Sequence, residues 1–195
     1  MICYEKQETS AVPFRYCFRS CCVDYWNDMR HFDNQINTGM NTEKRILDAC
    51  CGSRMMWFDK HNSDAVYMDI RSCEFVACDG RKVNIDPDVI GDFRDIPFPD
   101  KTFKLVVMDP PHLNHLGNNS YTAQKYGKLF PSWEADLRRG FDECMRVLDD
   151  SGVLVFKWNE YQIPTSKIIE IFGREPLFGH RCGKQSRTHW MVYMK

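Results

Sequence analysis

The chain has 195 residues, of which 43% are hydrophobic, and its formal net charge at pH 7 is −1. This length and apolar content predict one globular domain with a sizeable core. The nearly neutral charge argues against bulk electrostatic binding to nucleic acid or to an anionic membrane, so any basic surface must be local. No apolar run approaches the roughly 18 residues that span a bilayer, and the N-terminus lacks a signal-peptide layout. We therefore expect a cytoplasmic protein with no membrane partner.

The ten cysteines do not predict a disulfide scaffold. A chain of this length has no need of one, and residues such as Cys50 and Cys51 lie inside apolar runs. Free thiols in a reducing cytoplasm are expected instead. Cys17, Cys21 and Cys22 lack a second pair of ligands, so no metal site is predicted.

Residues 1–43 are rich in aromatic residues and cysteine but show neither a helical nor a strand period. Met40 stands directly before the first regular element. We interpret residues 1–43 as an N-terminal extension of uncertain structure, or as the product of an upstream start codon. The domain itself is predicted over residues 44–195.

After the extension, short apolar runs alternate with polar turns and helical patterns. Asp79-Gly80 is a two-residue turn signal between alternating runs, so residues 74–86 are predicted to form a β-hairpin. Apolar residues at helical spacing predict a helix that begins at Ser132 and a shorter helix over residues 164–172. Further strands are predicted over residues 45–50, 65–70, 88–93, 104–109, 153–158, 175–181 and 189–195.

Strands that alternate with helices and end in a hairpin predict an α/β fold with a mostly parallel sheet and one antiparallel strand. Residues 112–131 are polar and too long for a plain connection. Loops of this length in compact domains are usually functional or disordered. We therefore expect residues 112–131 to take part in function or to be disordered.

Carboxylates stand at the ends of three predicted strands. Asp48 begins a turn that runs to Gly52, where the missing side chain lets the backbone pass close to a ligand. Asp69 ends the next strand and is placed to bind the hydroxyls of a ribose, and Asp92 is placed to accept from an adenine amine. Each alone is expected to be a solvated or capping residue, but the three together predict a nucleoside pocket. The absence of both phosphate-binding glycine motifs argues against NAD and ATP.

A second motif follows the apolar run before Asp109. Pro110 and Pro111 remove two backbone donors and fix the turn, so this corner presents a carboxylate and carbonyl oxygens only. In open α/β sheets the carboxyl ends of the strands form the ligand-binding edge. A corner that only accepts hydrogen bonds suits a substrate amine.

The order of these segments resembles a class I S-adenosylmethionine-dependent methyltransferase, and most closely the amino-methyltransferases with an Asp-Pro-Pro-Tyr type motif. The resemblance covers about residues 44–195. In this length the chain resembles the small solitary members of the family from bacteria and phages. It implies a Rossmann-like domain with a mostly parallel seven-stranded sheet, one antiparallel strand and flanking helices. The segments that carry it are RILDACCGS, AVYMDIR, GDFRDIPFPDKTFKLVVMDPPH and RVLDDSGVLVFKW.

The resemblance implies S-adenosylmethionine as the cofactor and assigns residues to each of its parts. One departure from the family lies beside this site, because Arg54 replaces a glycine and puts a bulky side chain next to the turn. The implied cofactor-binding residues are Asp48, Cys50 and Gly52 for the methionine part, Asp69 for the ribose, and Asp92 with Phe93 for the adenine.

The resemblance also implies the catalytic residues Asp109, Pro110, Pro111 and His112. Acceptors on the hydrogens of an exocyclic amine favour a pyramidal nitrogen, and the carboxylate stabilises positive charge as the methyl group arrives. His112 replaces the family's aromatic residue, which stacks on a base taken out of its helix. Imidazole can stack, form hydrogen bonds or transfer a proton, and a structural histidine is the alternative.

No separate recognition domain is evident, so substrate contacts must come from residues 112–131 and the terminal hairpin. Arg181, Lys184 and Arg187 are predicted to form a local basic patch for phosphates, with an ordinary solvated turn as an equal alternative. Trp158 is predicted either to form a wall of the substrate pocket, with His112, or to lie in the core.

The leading prediction is methyl transfer to an exocyclic amine of a nucleic-acid base. Adenine N6 in DNA is placed ahead of cytosine N4 and of bases in rRNA or tRNA, so DNA is the more favoured partner. Methylation of a small-molecule or protein amine is a second reading, and a non-catalytic binder that retains the fold is a third. The sequence leaves the oligomeric state open.

Overall fold

The computed structural model describes residues 44–117, 120–183 and 185–195. The predicted extension over residues 1–43 lies outside this part of the chain and stays a prediction. In the described part the helices are α1 (Tyr121–Tyr126), α2 (Trp133–Val147) and α3 (Thr165–Phe172). The strands are β1 (Ile46–Asp48), β2 (Ala65–Asp69), β3 (Cys73–Val76), β4 (Lys82–Ile85), β5 (Val89–Ile90), β6 (Phe103–Met108), β7 (Leu148–Asn159), β8 (Phe178–Arg181) and β9 (Thr188–Met194).

Seven of these strands form one sheet in the order β5-β2-β1-β6-β7-β9-β8. β1 pairs in parallel with β2 and β6, and β5 and β7 extend the parallel part on the two sides. β9 runs antiparallel to both of its neighbours, β7 and β8. This confirms the predicted fold, a Rossmann-like class I methyltransferase sheet with one antiparallel strand. The separate hairpin of β3 and β4 is also confirmed.

The core on one face of the sheet is closed by α2 and α3. The apolar stripe of α2 buries Leu137, Phe141 and Cys144. The ring of Phe141 stacks on that of Phe172 in α3 at 4.3 Å, and its edge meets Tyr193 of β9 at 5.1 Å. Aromatic pairs of this kind add to the stabilisation from burial, so they fix both helices against the strands that carry the site.

Several elements differ in extent from the sequence-based expectation, since β7 begins at Leu148 rather than at residue 153 and β8 begins at Phe178 rather than at residue 175. The strand predicted over residues 88–93 is only β5, Val89–Ile90, and Asp92 lies beyond it in a turn that Asp95 closes by a backbone bond of 2.9 Å. Residues 112–131 contain α1, whose first turn is capped by the Ser120 hydroxyl accepting from the Ala123 amide at 3.2 Å. A helix this short has too few residues for a clear apolar period. None of the described helices is long and apolar enough to cross a membrane.

Candidate active site

The turn after β1 crosses the carboxyl edge of the sheet. The Ala49 amide donates to a carbonyl at the end of β6 at 2.9 Å, and the Cys51 amide donates to one at the end of β2 at 2.8 Å. The Gly52 amide then donates to the Asp69 carboxylate at 2.9 Å. Gly52 has φ +49°, a left-handed conformation that favours glycine. The predicted glycine turn is therefore held directly against the ends of two strands.

Asp48 is fully buried beneath this turn. The Trp57 indole N–H donates to its Oδ2 at 2.7 Å, and the Cys50 amide donates to Oδ1 at 3.3 Å. Burial raises the pKa of Asp48 to about 7, and the negative charges of Asp109 and Asp69 add to the rise. Near pH 7 this carboxyl is therefore protonated in about half of the molecules. Trp57 was not identified from the sequence, because nothing local links it to Asp48.

Replacing Asp48 by asparagine is expected to reduce the pH dependence of stability. The folded-state pKa lies above the ordinary value of 3.8, so the protonated carboxyl favours the folded state below about pH 4 and this contribution is lost by about pH 7. The loss is roughly 2–4 kcal/mol. In Asp48→Asn the amide oxygen still accepts from Trp57, and the free energy of unfolding by urea should fall less between pH 4 and pH 8.

The matched control for this comparison is Asp64→Asn, because Asp64 is exposed. Its pH profile should follow that of the unaltered protein. A profile for Asp48→Asn that coincides with both would show that Asp48 titrates at an ordinary pKa.

The thiol of Cys50 lies among the same carboxylates. Burial raises the pKa of the Cys50 thiol, and Asp69 and Asp48 raise it further. The side chain is therefore a neutral, weakly polar group at this edge. The cysteines in the described part of the chain are free thiols.

Asp69 is bound on both of its oxygens. Oδ2 accepts from Gly52, and Oδ1 accepts from the Arg71 amide at 2.9 Å and from its Nε at 3.4 Å. The Arg71 guanidinium also donates to the Gln124 and Lys125 carbonyls of α1 at 3.3 Å. A carboxylate has about four acceptor positions, so Asp69 retains capacity for a ligand hydroxyl.

Asp92 is more fully occupied than Asp69. Arg94 donates to it from its amide, from Nε and from a terminal nitrogen, at 2.5–3.0 Å. Arg94 also reaches Asp136 of α2 at 3.1 Å. Phe93 packs on Gly140 of α2, where an added Cβ would lie 2.3 Å from its ring. The predicted adenine-binding pair is therefore held by contacts within the protein.

Arginines that follow an aspartate by two residues recur in this chain. The spacing occurs at Asp69-Ile-Arg71, at Asp79-Gly-Arg81 and at Asp92-Phe-Arg94, and each arginine bonds its aspartate. This spacing was the sequence signal that could have identified these partners.

Two residues beside the carboxylates, Ile70 and Arg54, have an exposure or contacts that the sequence did not predict. Ile70, directly after Asp69, is 50% exposed and offers an apolar surface next to the ribose-binding candidate. Arg54 does not crowd the turn, because its guanidinium lies over the Tyr67 ring at 3.9 Å and donates to Asp88 and to the Lys60 carbonyl. The departure at Arg54 thus stabilises the loop after the turn.

Asp109 lies between two basic side chains. Lys157 of β7 donates to its Oδ2 at 2.5 Å, and Nε2 of His112 lies 3.0 Å from its Oδ1 without the alignment of a hydrogen bond. Burial alone would raise the pKa of Asp109, but His112 and Lys157 outweigh burial and hold it below its usual value. Asp109 is therefore ionised at neutral pH. Lys157 was not identified from the sequence, since it lies on a different strand.

His112 presents its other nitrogen to the interior. Among the described residues, no hydrogen-bond partner reaches the buried Nδ1 of His112. Trp158 packs edge-on against the imidazole at 5.1 Å. Trp158 itself is fully buried and donates its indole N–H to the Ile163 carbonyl at 3.0 Å. Trp158 is thus a core residue that orients His112 from behind, one of the two readings predicted for it.

Gln162 fixes the loop that follows His112. Its Oε1 accepts from the Asn114 and His115 amides, both at 2.9 Å, and its Nε2 donates to the His115 carbonyl at 2.8 Å. One side chain thus satisfies several backbone groups of the loop. We infer that Gln162 holds the loop in register with the site.

For the methyltransferase activity that the resemblance implies, Gln162→Ala is expected to lower kcat roughly tenfold or more, since a small displacement of a catalytic group costs much of its effect. KM for S-adenosylmethionine should stay nearly unchanged. Gln185→Ala is the control, because Gln185 is exposed in the terminal turn. Equal kcat values in both variants, measured by methyl transfer, would contradict a positioning role for Gln162.

The predicted basic patch on the terminal hairpin is partly neutralised. Arg181 donates to Glu160 at 2.9 Å, and the Arg187 guanidinium lies over the exposed Tyr161 ring at 5.1 Å. Lys184 lies outside the described residues. The charge that this hairpin offers to a phosphate is therefore smaller than its sequence indicates.

No protein-family model matches the chain, and no curated protein matches it. A crystal structure of a protein from Pyrococcus horikoshii OT3 is similar at 16% identity and a TM-score of 0.49, covering 88% of this chain and 91% of that one. A SAM-dependent methyltransferase from Methanosarcina mazei is similar at 11% identity and a TM-score of 0.49, with coverage of 83% and 97%. A TehB-like SAM-dependent methyltransferase from Corynebacterium glutamicum has 16% identity, a TM-score of 0.47 and coverage of 88% and 96%. The fold assignment rests on the strand order and register of this chain.

Proposed function

We propose that this protein transfers a methyl group from S-adenosylmethionine to an exocyclic amine of a nucleic-acid base, with adenine N6 in DNA as the leading target. The observation that supports this most is the Asp109 carboxylate, which lies between Lys157 and His112 and directly before Pro110 and Pro111, at the carboxyl edge of the sheet. This corner accepts hydrogen bonds and lies against the turn that begins at Asp48.

The residues at this edge fit the cofactor in part. Asp69 has capacity for a ribose hydroxyl, the exposed Ile70 can cover a flat ring, and the turn to Gly52 leaves room for close approach. Asp92 accepts adenine's amine only after Arg94 moves, because Arg94 donates to both of its oxygens. When bound, S-adenosylmethionine supplies a methyl group on a sulfonium, which is a strong electrophile.

The side chains at Asp109 then do three things for the reaction. The Asp109 carboxylate and the Pro110 carbonyl accept from the target amine, which frees the nitrogen lone pair from the ring. The carboxylate stabilises the positive charge that develops on the nitrogen. The methylated nitrogen must lose a proton, and the Asp109–His112 pair, in which Nε2 of His112 lies 3.0 Å from Oδ1 of Asp109, can accept it.

A second candidate is methyl transfer to an aliphatic amine. The ion pair between Lys157 and Asp109 favours it, because this carboxylate already binds one aliphatic ammonium group. An aliphatic amine on a small molecule or a protein is protonated at neutral pH and must lose a proton before it can attack. The Asp109–His112 pair supplies a base for this step, whereas a base amine of a nucleic acid is already neutral. The two candidates thus differ in whether His112 acts before or after methyl transfer.

The deciding experiment is transfer of labelled methyl from S-adenosylmethionine to unmethylated DNA, to total RNA and to a pool of amine-bearing small molecules and proteins. Label on DNA that digests to N6-methyladenine supports the leading proposal. Label on RNA alone supports the same reaction with RNA in place of DNA as the substrate. Label on the amine pool alone favours the second candidate, and binding of the cofactor without transfer to any of them overturns both.

A further inference from the structure

A cavity of about 470 Å³ lies beside the glycine turn, lined by the loop after Gly52, by β4 and by α1. None of the aspartates of the candidate active site lines it. Gly52 lines the cavity and also belongs to the turn of the active site. Its charged lining residues are Arg54, Lys60, Arg81, Lys82 and Lys125 with a single carboxylate, Asp86.

The two arginines of the cavity form ion pairs within the protein, but two of its lysines form none with the described residues. Arg54 is bound to Asp88, and Arg81 is bound to Asp79. Within residues 44–117, 120–183 and 185–195, neither Lys60 nor Lys82 forms an ion pair, and both are exposed. In a chain with a net charge of −1, this is a local excess of positive charge that a bound anion would offset.

Two further groups that line the cavity are the Ser53 hydroxyl and the Tyr121 ring. The hydroxyl oxygen of Ser53 is buried and has no hydrogen-bond partner among the described residues. The Tyr121 ring contacts two cations, with the Arg81 guanidinium 4.4 Å and the Lys125 ammonium 5.5 Å from its centroid. A hydroxyl without a partner is a donor that can bind a phosphate oxygen.

The chemistry of the cavity differs from what the sulfonium and the ribose of the cofactor require. A sulfonium and a ribose need carboxylates and other acceptors, which the active site provides at Asp69 and Asp109, whereas the methionine carboxylate, like a phosphate, needs donors. The cavity offers ammonium and hydroxyl donors, which suit an oxyanion. An anion held here would lie next to the turn that borders the active site.

We propose that this cavity binds a backbone phosphate of the nucleic-acid strand that carries the target base, through Lys60, Lys82 and Ser53. This proposal rests on the proposed function. The nucleic-acid strand would then bind on the opposite side of the glycine turn from the terminal hairpin. At that hairpin Glu160 partly neutralises the positive charge. Charge-assisted contacts to phosphate set the register of a strand without reading its sequence.

The test is binding of fluorescent single-stranded and duplex oligonucleotides to the full chain and to Lys60→Gln/Lys82→Gln. We expect affinity to fall roughly tenfold at physiological salt, and the slope of log K against log salt to become shallower by about 0.7–0.9, since one phosphate contact is lost. Lys101→Gln/Lys104→Gln removes the same charge from residues that pair with Asp150 and Asp149. This control should leave the affinity within about twofold.

Two other outcomes would overturn the proposal. Oligonucleotide affinity that survives in Lys60→Gln/Lys82→Gln but is lost in Arg181→Gln/Arg187→Gln overturns the proposal in favour of the terminal hairpin. Weaker S-adenosylmethionine binding by calorimetry, with oligonucleotide affinity retained, also overturns it and makes the cavity part of the cofactor site.

Failure of the proposed function gives a different pattern. If the unaltered protein binds no oligonucleotide but binds pyrophosphate in a manner that needs Lys60 and Lys82, the phosphate site stands and its source is a small molecule. Methyl transfer to the amine pool would then identify the substrate class. If neither oligonucleotide nor pyrophosphate binds, the cavity proposal is wrong, whatever the methyl-transfer assay gives.

Discussion

Asp109→Asn is expected to lower methyl transfer by about a hundredfold or more, while the affinity for S-adenosylmethionine changes little. The amide keeps the shape of the carboxylate but loses the negative charge that stabilises the developing positive charge on the target nitrogen. It also presents a donor where the corner must accept. The measurement is the single-turnover rate with labelled cofactor, and Asp150→Asn, at an exposed carboxylate on β7, serves as the control.

This variant also leaves Lys157 and His112 without their shared carboxylate, which separates stability from activity. Removing one partner of a largely buried ion pair is destabilising, so the unfolding free energy of Asp109→Asn must be measured beside its rate. Asp109→Asn/Lys157→Met should recover much of the lost stability and none of the lost activity. Recovery of activity in the double variant, or near-normal activity in Asp109→Asn, would show that Asp109 is structural.

Phe141→Ala is expected to lower the free energy of unfolding by about 3–5 kcal/mol. Phe141 is 3% exposed and joins α2 to both α3 and β9 through its contacts with Phe172 and Tyr193. Its removal leaves a cavity at the centre of the core. For a domain of this size, the melting temperature should fall by roughly 10 °C.

Phe58 provides a matched control within the same chain. Its side chain is fully exposed, so Phe58→Ala should change stability by no more than about 0.5 kcal/mol. Thermal melts and urea unfolding of both variants measure the contrast. A change of less than about 1 kcal/mol in Phe141→Ala would contradict the central place of this ring in the core.

The sequence predicted the fold well because its signals are local. Apolar runs that stop at polar turns gave the strands β1, β2, β6 and β7, and Asp79-Gly80 gave the β3–β4 hairpin. A helical stripe gave α2. Where the local signal was weak, the prediction was less accurate: β5 is shorter than expected, and α1 was not foreseen.

The sequence by itself also determined which residue types stand at the carboxyl edge, because parallel neighbours end together, Asp48 and Asp69 end their strands, and Asp109 directly follows its strand. Only the tertiary structure decided what those carboxylates do. Strand register brings Lys157 to Asp109, and the path of a loop brings Trp57 to Asp48. Charge and hydrogen-bond energies depend on distances of a few ångströms between residues far apart in sequence, and neither composition nor periodicity contains those distances.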